Sequence, residues 1–317
     1  MTRIFHTTDL HASEIVWKKT LKSAEFYKAD AILLLGDLTG KAIVPIVQTG
    51  PSEWYSNPYG DVEYFHSREE VKEKSRIYRD RGFYVFETTE SQVAELKRSP
   101  LKMNALFTRL MCETMNEMLN QINSFNFSDQ LLIVVCPGND DITAIDDIIR
   151  HHERAVYPLG RVIDLDSKHA MISCEYVNPT PWETPRECSE EDLEKRLQKE
   201  FDRVPERDNL VCNFHAPPYG SGLDVAPKLD KNLKPVTDFG RVVMENVGSR
   251  AVRSAILQYQ PLLGLHGHIH ESHAHCVLGR TVCVNPGSEY QTGIISGYVI
   301  DLPDSEGEPM RYWRVTG

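Results

Sequence analysis

The sequence predicts a layered α/β protein whose sheets are partly parallel and partly antiparallel. Short apolar runs of β type alternate with helical patterns through the first half. The tail from Cys276 onward reads as consecutive strands. At 317 residues the chain buries roughly three quarters of its unfolded surface, so it needs no disulfide or structural metal to fold.

In chain order, strands are expected at 4–7, 31–35, 131–135, 161–165, 169–174, 210–214 and 262–266, then at 276–278, 281–284, 297–301 and 310–315. Ile15, Trp17, Leu21, Ala24 and Tyr27 give one helical face after the first strand. Leu96, Leu106, Leu110, Met118, Leu119 and Ile122 predict one long helix, or two broken near Pro100. Leu193, Leu197 and Phe201 predict another, with Ser189 and Asp192 placed like a capping box. The stretch from Val47 to Phe86 fits the alternation poorly, carrying Pro51, Pro58 and Gly60 among many aromatics and charges. A single domain over 1–317 is expected, with an inserted, lid-like segment at about 47–125.

Composition narrows the function. Hydrophobic residues at 41% and charged residues at 26% exclude wholesale disorder. A net charge of −11 argues against a protein that coats duplex nucleic acid, but not against a small phosphorylated substrate. No apolar run reaches the roughly 18 residues of a membrane span, and the first residues lack a signal-peptide pattern. Seven scattered cysteines without a CxxC pair suggest reduced thiols, hence a cytoplasmic protein.

Position carries the functional argument. In open α/β sheets, ligands bind outside the carboxyl ends of strands. Five expected strands lead into metal-type side chains: Asp9 and His11; Asp37; Asn139, Asp140 and Asp141; His215; and His268 with His270. Alone, each is an ordinary turn residue. Together, imidazole with carboxylate or amide oxygen and no thiolate suits zinc, manganese or iron. About seven donors are too many for one tetrahedral site and suit two ions sharing a carboxylate. Gly36, Gly138 and Gly267 beside them permit sharp turns and close approach.

The ordered blocks Asp9-Leu-His11, Gly36-Asp37, Gly138-Asn139-Asp140-Asp141, His215 and Gly267-His268-Ile269-His270 resemble the calcineurin-like metallophosphoesterases. They are most like the small Icc-related phosphoesterase branch. Asn285-Pro286-Gly287-Ser288 is similar to the loop that follows the last motif in that family. The resemblance implies a four-layer α/β/β/α sandwich with two mixed sheets. It also implies a metal-dependent phosphoester hydrolase using a dinuclear centre and a metal-bridging hydroxide. Asp9, His11 and His270 would hold one ion, Asn139, His215 and His268 the other, and Asp37 both. Manganese is the expected metal, with zinc, iron and nickel as alternatives.

One departure bears on substrate choice. Where most of the family carries a histidine that helps the phosphate or leaving group, this chain has Asp140, with Asp141 supporting it. A carboxylate there repels a monoester dianion more than a diester monoanion, so a phosphodiesterase is expected ahead of a phosphomonoesterase. Asp37 also lacks the following tyrosine of the purple acid phosphatases. The alternatives are a non-catalytic metal-binding scaffold of the same fold, or an amidohydrolase barrel. The barrel leaves the Gly36-Asp37 and Gly138-Asn139 blocks unexplained.

Three further residues are candidate substrate contacts: Lys41, although Gly36–Lys41 fails the phosphate-loop spacing, and Trp182 and Arg186 in the proline-rich stretch 175–188. The expected substrate is a small phosphorylated molecule, with a nucleotide as one candidate. His6 and Cys212 read as core residues, and His151 and His152 as surface; His273 and His275 could reach substrate.

Overall fold

The computed structural model describes residues 1–204, 209–305 and 307–317. In chain order it runs β1 (Thr2–Thr7), α1 (Glu14–Tyr27), β2 (Ala31–Leu35), β3 (Ala42–Gly50), β4 (Glu53–Ser56) and β5 (Glu63–Phe65). Next come α2 (Arg68–Asp80), β6 (Phe83–Thr89), α3 (Glu90–Arg98), α4 (Pro100–Ile122), β7 (Leu132–Cys136) and α5 (Asp146–Arg150). Then follow β8 (Ile163–Asp164), β9 (Ala170–Cys174), α6 (Glu190–Phe201), β10 (Leu210–Phe214), β11 (Val225–Pro227), β12 (Thr237–Asp238), β13 (Arg241–Val242) and β14 (Met244–Asn246). The chain closes with α7 (Arg250–Tyr259), β15 (Leu263–Leu265), β16 (Ala274–Leu278), β17 (Thr281–Asn285), β18 (Ser296–Leu302) and β19 (Arg311–Thr316).

Two mixed sheets dominate. The first has the order β19-β18-β1-β2-β7, with β1, β2 and β7 parallel and the C-terminal pair antiparallel. The second has the order β16-β17-β15-β10-β9-β8, parallel from β9 to β17 and antiparallel at both edges. Strand alternation decides which residues meet. Ile4, Leu33, Val134 and Ile300 from the first sheet share one buried cluster with Met171, Val211, Leu265 and Val284 from the second. Phe5, Ile32 and Leu34 point the other way, into a cluster with Trp17 and Leu21 of α1 and Met115 and Leu119 of α4. Ile172, Cys212 and Cys283 of the second sheet pack on Leu193, Leu197 and Phe201 of α6 and Val252 and Ile256 of α7.

The expected strands all exist, some with shifted ends. The run at 161–165 contracts to Ile163–Asp164, which pairs only as an edge. The chain does break at Pro100: α3 stops at Arg98, and Pro100 starts α4 where a missing N–H costs nothing. Ser189 caps α6 by accepting from the Asp192 N–H, but Asp192 turns to Lys195, so the capping box is a single cap. Helices α2 and α7 escape the sequence reading.

The stretch around 47–125 contains elements of two kinds. Strands β3 to β6 form a separate four-stranded sheet in the order β5-β4-β3-β6. Its small core joins Ile46, Trp54, Phe65 and Val71. Helix α4 instead packs into the principal core beside α1. A second appendage lies at 225–246, where β11 to β14 pair in two short antiparallel ribbons.

Candidate metal centre

The carboxyl ends of β1, β2, β7, β10 and β15 converge, and their following loops are tied to each other through the backbone. The Asp9 N–H donates to the Gly36 carbonyl at 3.0 Å, and the His11 N–H to the Asp37 carbonyl at 2.9 Å. Asp9, His11, Asp37 and His268 all hold left-handed backbone, with φ of 54°, 43°, 44° and 68°. That conformation is costly for residues with a Cβ and concentrates at functional sites. Gly36 has φ 98°, and a Cβ there would lie 2.1 Å from His215 Nδ1. A Cβ on Gly138 would lie 2.3 Å from the Asp37 nitrogen. Glycine is required at both positions by this close approach.

The side chains gather in two sets. Asp9, His11, Asp37 and His270 offer donor atoms within 4.8 Å of one another, and so do Asp37, His215 and His268. Asp37 belongs to both. Its Oδ2 lies 3.7 Å from His11 Nε2, and its Oδ1 lies 3.4 Å from His215 Nε2. Asn139 joins the second set through Oδ1, 2.8 Å from His268 Nδ1.

The donor chemistry fits cations. The His11 Nδ1 faces the Thr39 carbonyl at 3.0 Å, which assigns the proton to Nδ1 and leaves Nε2 a lone pair. That Nε2 meets His270 Nε2 at 3.1 Å, a contact that a shared cation satisfies. Burial, helped by Lys41, holds His11 well below the usual imidazole range. Burial and then His215 push His268 down to about 3. Both are therefore neutral at pH 7, as metal ligation requires. For His215, burial is outweighed by Asp37 and Asp9, which push it up to about 9. Burial raises Asp37 to about 6, with Asp140 and Asp9 adding to the effect and His215 opposing it. Burial also works against ionised Asp9, but His270, His215 and His11 outweigh it and hold the carboxyl well below its usual range. These buried groups are acids and bases crowded enough to exchange protons for divalent cations.

Around the donors, partners from distant segments fix each one. Ser288 donates to the Asp9 carbonyl at 2.7 Å. Tyr290 packs on His11, with ring centroids 4.7 Å apart. Thr184 accepts from the Asn139 amide nitrogen at 2.9 Å, turning the amide oxygen toward His268. Sequence reasoning missed Thr184 and Tyr290; only the nearby Asn285–Ser288 block hinted at the latter.

The other expected residues fall in different places. Asp141 is wholly buried, and its carboxylate accepts from the backbone N–H of Leu38, Thr39 and Gly138 at 2.8–2.9 Å. It ties the β2 loop to the β7 loop and does not face the donors' cleft. Asp140 does face it, with Lys41 Nζ 2.6 Å from its Oδ2. Trp182 is 61% exposed and lines the same cleft. Arg186 does not reach it. Its guanidinium is buried, bonded to Asp146 at 2.5 Å and to the Asp141 carbonyl at 2.8 Å, so the expected phosphate fork is an internal brace. His6 and Cys212 are buried as expected. His275 packs edge-on against Tyr312 and is not part of the cleft lining.

The cleft encloses about 1180 Å³. Asp37, Asn139, His268 and His270 form its polar end. Phe107 and Met111 of α4, the prolines around Trp182, and Leu229 and Leu233 of the 225–246 appendage form apolar walls. Among the described residues, no helix is long and apolar enough to cross a membrane.

No family model matches the chain. The uncharacterized protein MJ1162 of Methanocaldococcus jannaschii is 27% identical over 161 residues, and the match spans 50% of this chain and 65% of that relative. A solved structure 16% identical in sequence covers 98% of both chains with a TM-score of 0.57, which is a likeness of fold alone. The crystal structure of TT1561 of Thermus thermophilus is 17% identical and covers 98% of both chains, with a TM-score of 0.49. The fold likeness at a TM-score of 0.57 thus covers 98% of the chain, while the sequence likeness to MJ1162 covers half of it.

Proposed function

We propose that this chain is a phosphoester hydrolase of the calcineurin-like metallophosphoesterase type, dependent on two divalent cations, with manganese the first candidate. The single observation that supports this most is the pair of donor sets sharing Asp37 at one end of a cleft. Bound there, two cations would polarise a phosphoryl oxygen and acidify a water molecule. In this reading Asp9, His11 and His270 hold one cation, Asn139, His215 and His268 the other, and Asp37 both.

The chain's own residues do the rest. Thr39, Thr184 and Ser288 hold His11, Asn139 and Asp9 in orientation, so little reorganisation accompanies substrate binding. Beyond the donors the cleft is walled by α4, the prolines around Trp182 and the 225–246 appendage, giving room for the organic groups of a diester. That favours diesters over monoesters. In the same reading the two mixed sheets are the middle of a four-layer α/β/β/α sandwich. The protein is one domain with a lid-like insertion, and its seven free thiols suit the cytoplasm.

The test is an aryl phosphodiester and monoester panel on metal-stripped protein, with manganese, zinc, iron, nickel or magnesium added back. Metal-dependent cleavage, faster for the diester, is the expected result. A protein that loads two ions yet turns over no ester with any of them is a metal-binding scaffold instead.

A further inference from the structure

Resting on that reading, we propose that Lys41 is the phosphate-binding cation of this site and that Asp140 is its positioning residue. Asp140 stands where most of the family that the motifs resemble carries a histidine.

The geometry behind the pair is specific. Lys41 lies between the ligand loop at 36–40 and the first residue of β3. The Gly40 N–H donates to the Tyr84 hydroxyl of β6 at 2.8 Å, so the four-stranded sheet anchors the backbone beside Lys41. Asp140 is fixed from the other side. Its N–H donates to Asp37 Oδ1 at 2.9 Å, and its Oδ1 accepts from the Asn139 amide at 3.2 Å. Its free oxygen, Oδ2, holds Lys41 Nζ at 2.6 Å.

The Lys41 ammonium is ion-paired with Asp140 Oδ2 and, with three N–H groups, keeps donors for other acceptors. The Lys41 side chain is 49% exposed and lines the cleft together with Asp37, Asn139, His268 and His270. The remaining donors therefore lie beside the space that a phosphoryl group on the donor sets would fill. Among the described residues, the other lysine or arginine lining the cleft is Arg250, whose guanidinium lies over the Tyr219 ring at 4.0 Å. Lys41 is thus the cation placed to meet the phosphoryl oxygens.

The pairing changes what Asp140 does. An unpaired carboxylate at that point would repel phosphate. Beside Lys41 its charge is balanced, and its effect is to hold a flexible four-carbon stem in one place. A charge-assisted hydrogen bond from Lys41 to a phosphoryl oxygen is worth about 10- to 100-fold in affinity.

The experiment is a double-mutant cycle on the manganese-loaded protein, read by calorimetric affinity for inorganic phosphate, with metal content measured on every variant. Lys41→Ala is expected to weaken phosphate binding about 10- to 100-fold at unchanged metal content, and Lys41→Arg to recover most of it. Asp140→Asn should weaken binding in the native background and strengthen it in the Lys41→Ala background, where the carboxylate is unpaired. A merely structural role for Asp140 has no reason to reverse sign. If Lys41→Ala keeps phosphate affinity within about twofold at full metal content, or if Asp140→Asn has the same effect in both backgrounds, the pair is overturned. Hydrolysis by the native protein distinguishes this from failure of the wider reading. A native protein that cleaves esters and ignores Lys41→Ala overturns only the pair. One that loads metal but neither binds phosphate nor cleaves esters overturns both.

Discussion

The two large sheets and the four-stranded sheet both contribute to one cleft, in different ways. The large sheets present donors from the carboxyl ends of five strands; five of the seven are buried, with His268 and His270 partly exposed, and backbone bonds tie the donor loops together. The four-stranded sheet presents one half-exposed lysine at its entrance and keeps its own small core elsewhere. The floor of the cleft is thus over-determined, while its rim depends on single side chains. Substitutions in the floor should cost metal or stability, and those in the rim should cost substrate affinity.

The largest effect is expected at Asp37, which serves both donor sets. Asp37→Asn should lose more metal than His11→Ala or His215→Ala, by elemental analysis after equal dialysis. Full occupancy in Asp37→Asn would remove its shared position and with it the account of the floor.

Arg186 sharpens the contrast because it sits close to the rim in sequence and belongs to the floor in space. Removing a buried guanidinium that pairs Asp146 and approaches Glu175 at 3.6 Å leaves buried charge uncompensated. Arg186→Met should destabilise the fold by about 3–5 kcal/mol, seen as a shift in denaturant midpoint. A variant of native stability with a raised KM would return Arg186 to the substrate.

The smallest effect is expected at Trp182. As an exposed wall of the cleft it can stack on a base without supporting the fold. Trp182→Ala should raise KM for nucleotide-type diesters several-fold and leave small aryl diesters nearly unchanged. An equal loss on both substrates would mean that the loop itself had collapsed.

Legibility followed the same division. The strands leading to Asp9, Asp37, Asn139, His215 and His268 were readable because a buried strand is a short apolar run and its exit residue is polar. Helix α7 was missed although Ala251, Val252, Ala255 and Ile256 have helical spacing, because the segment is short and follows a proline-rich, irregular stretch. Strands β3 to β6 were missed for a different reason. Tyr64 is exposed and Trp54 buried, yet both sit among charged residues that conceal any alternation. Asp141 and Arg186 were recognised as polar residues near the site, but sequence order cannot tell a side chain facing the cleft from one turned into the core.

By itself the sequence determined that strand ends would carry a His, Asp and Asn donor set, because residue type and distance from an apolar run are local properties. Tertiary structure decided which donors share Asp37, since that depends on how loops far apart in the chain are held together by backbone bonds. It also decided that Asp140 meets Lys41, residues 99 positions apart brought to 2.6 Å. An ion pair between separate loops leaves no periodicity or spacing in the chain, because only the packing of the sheets fixes the distance across which the charges meet.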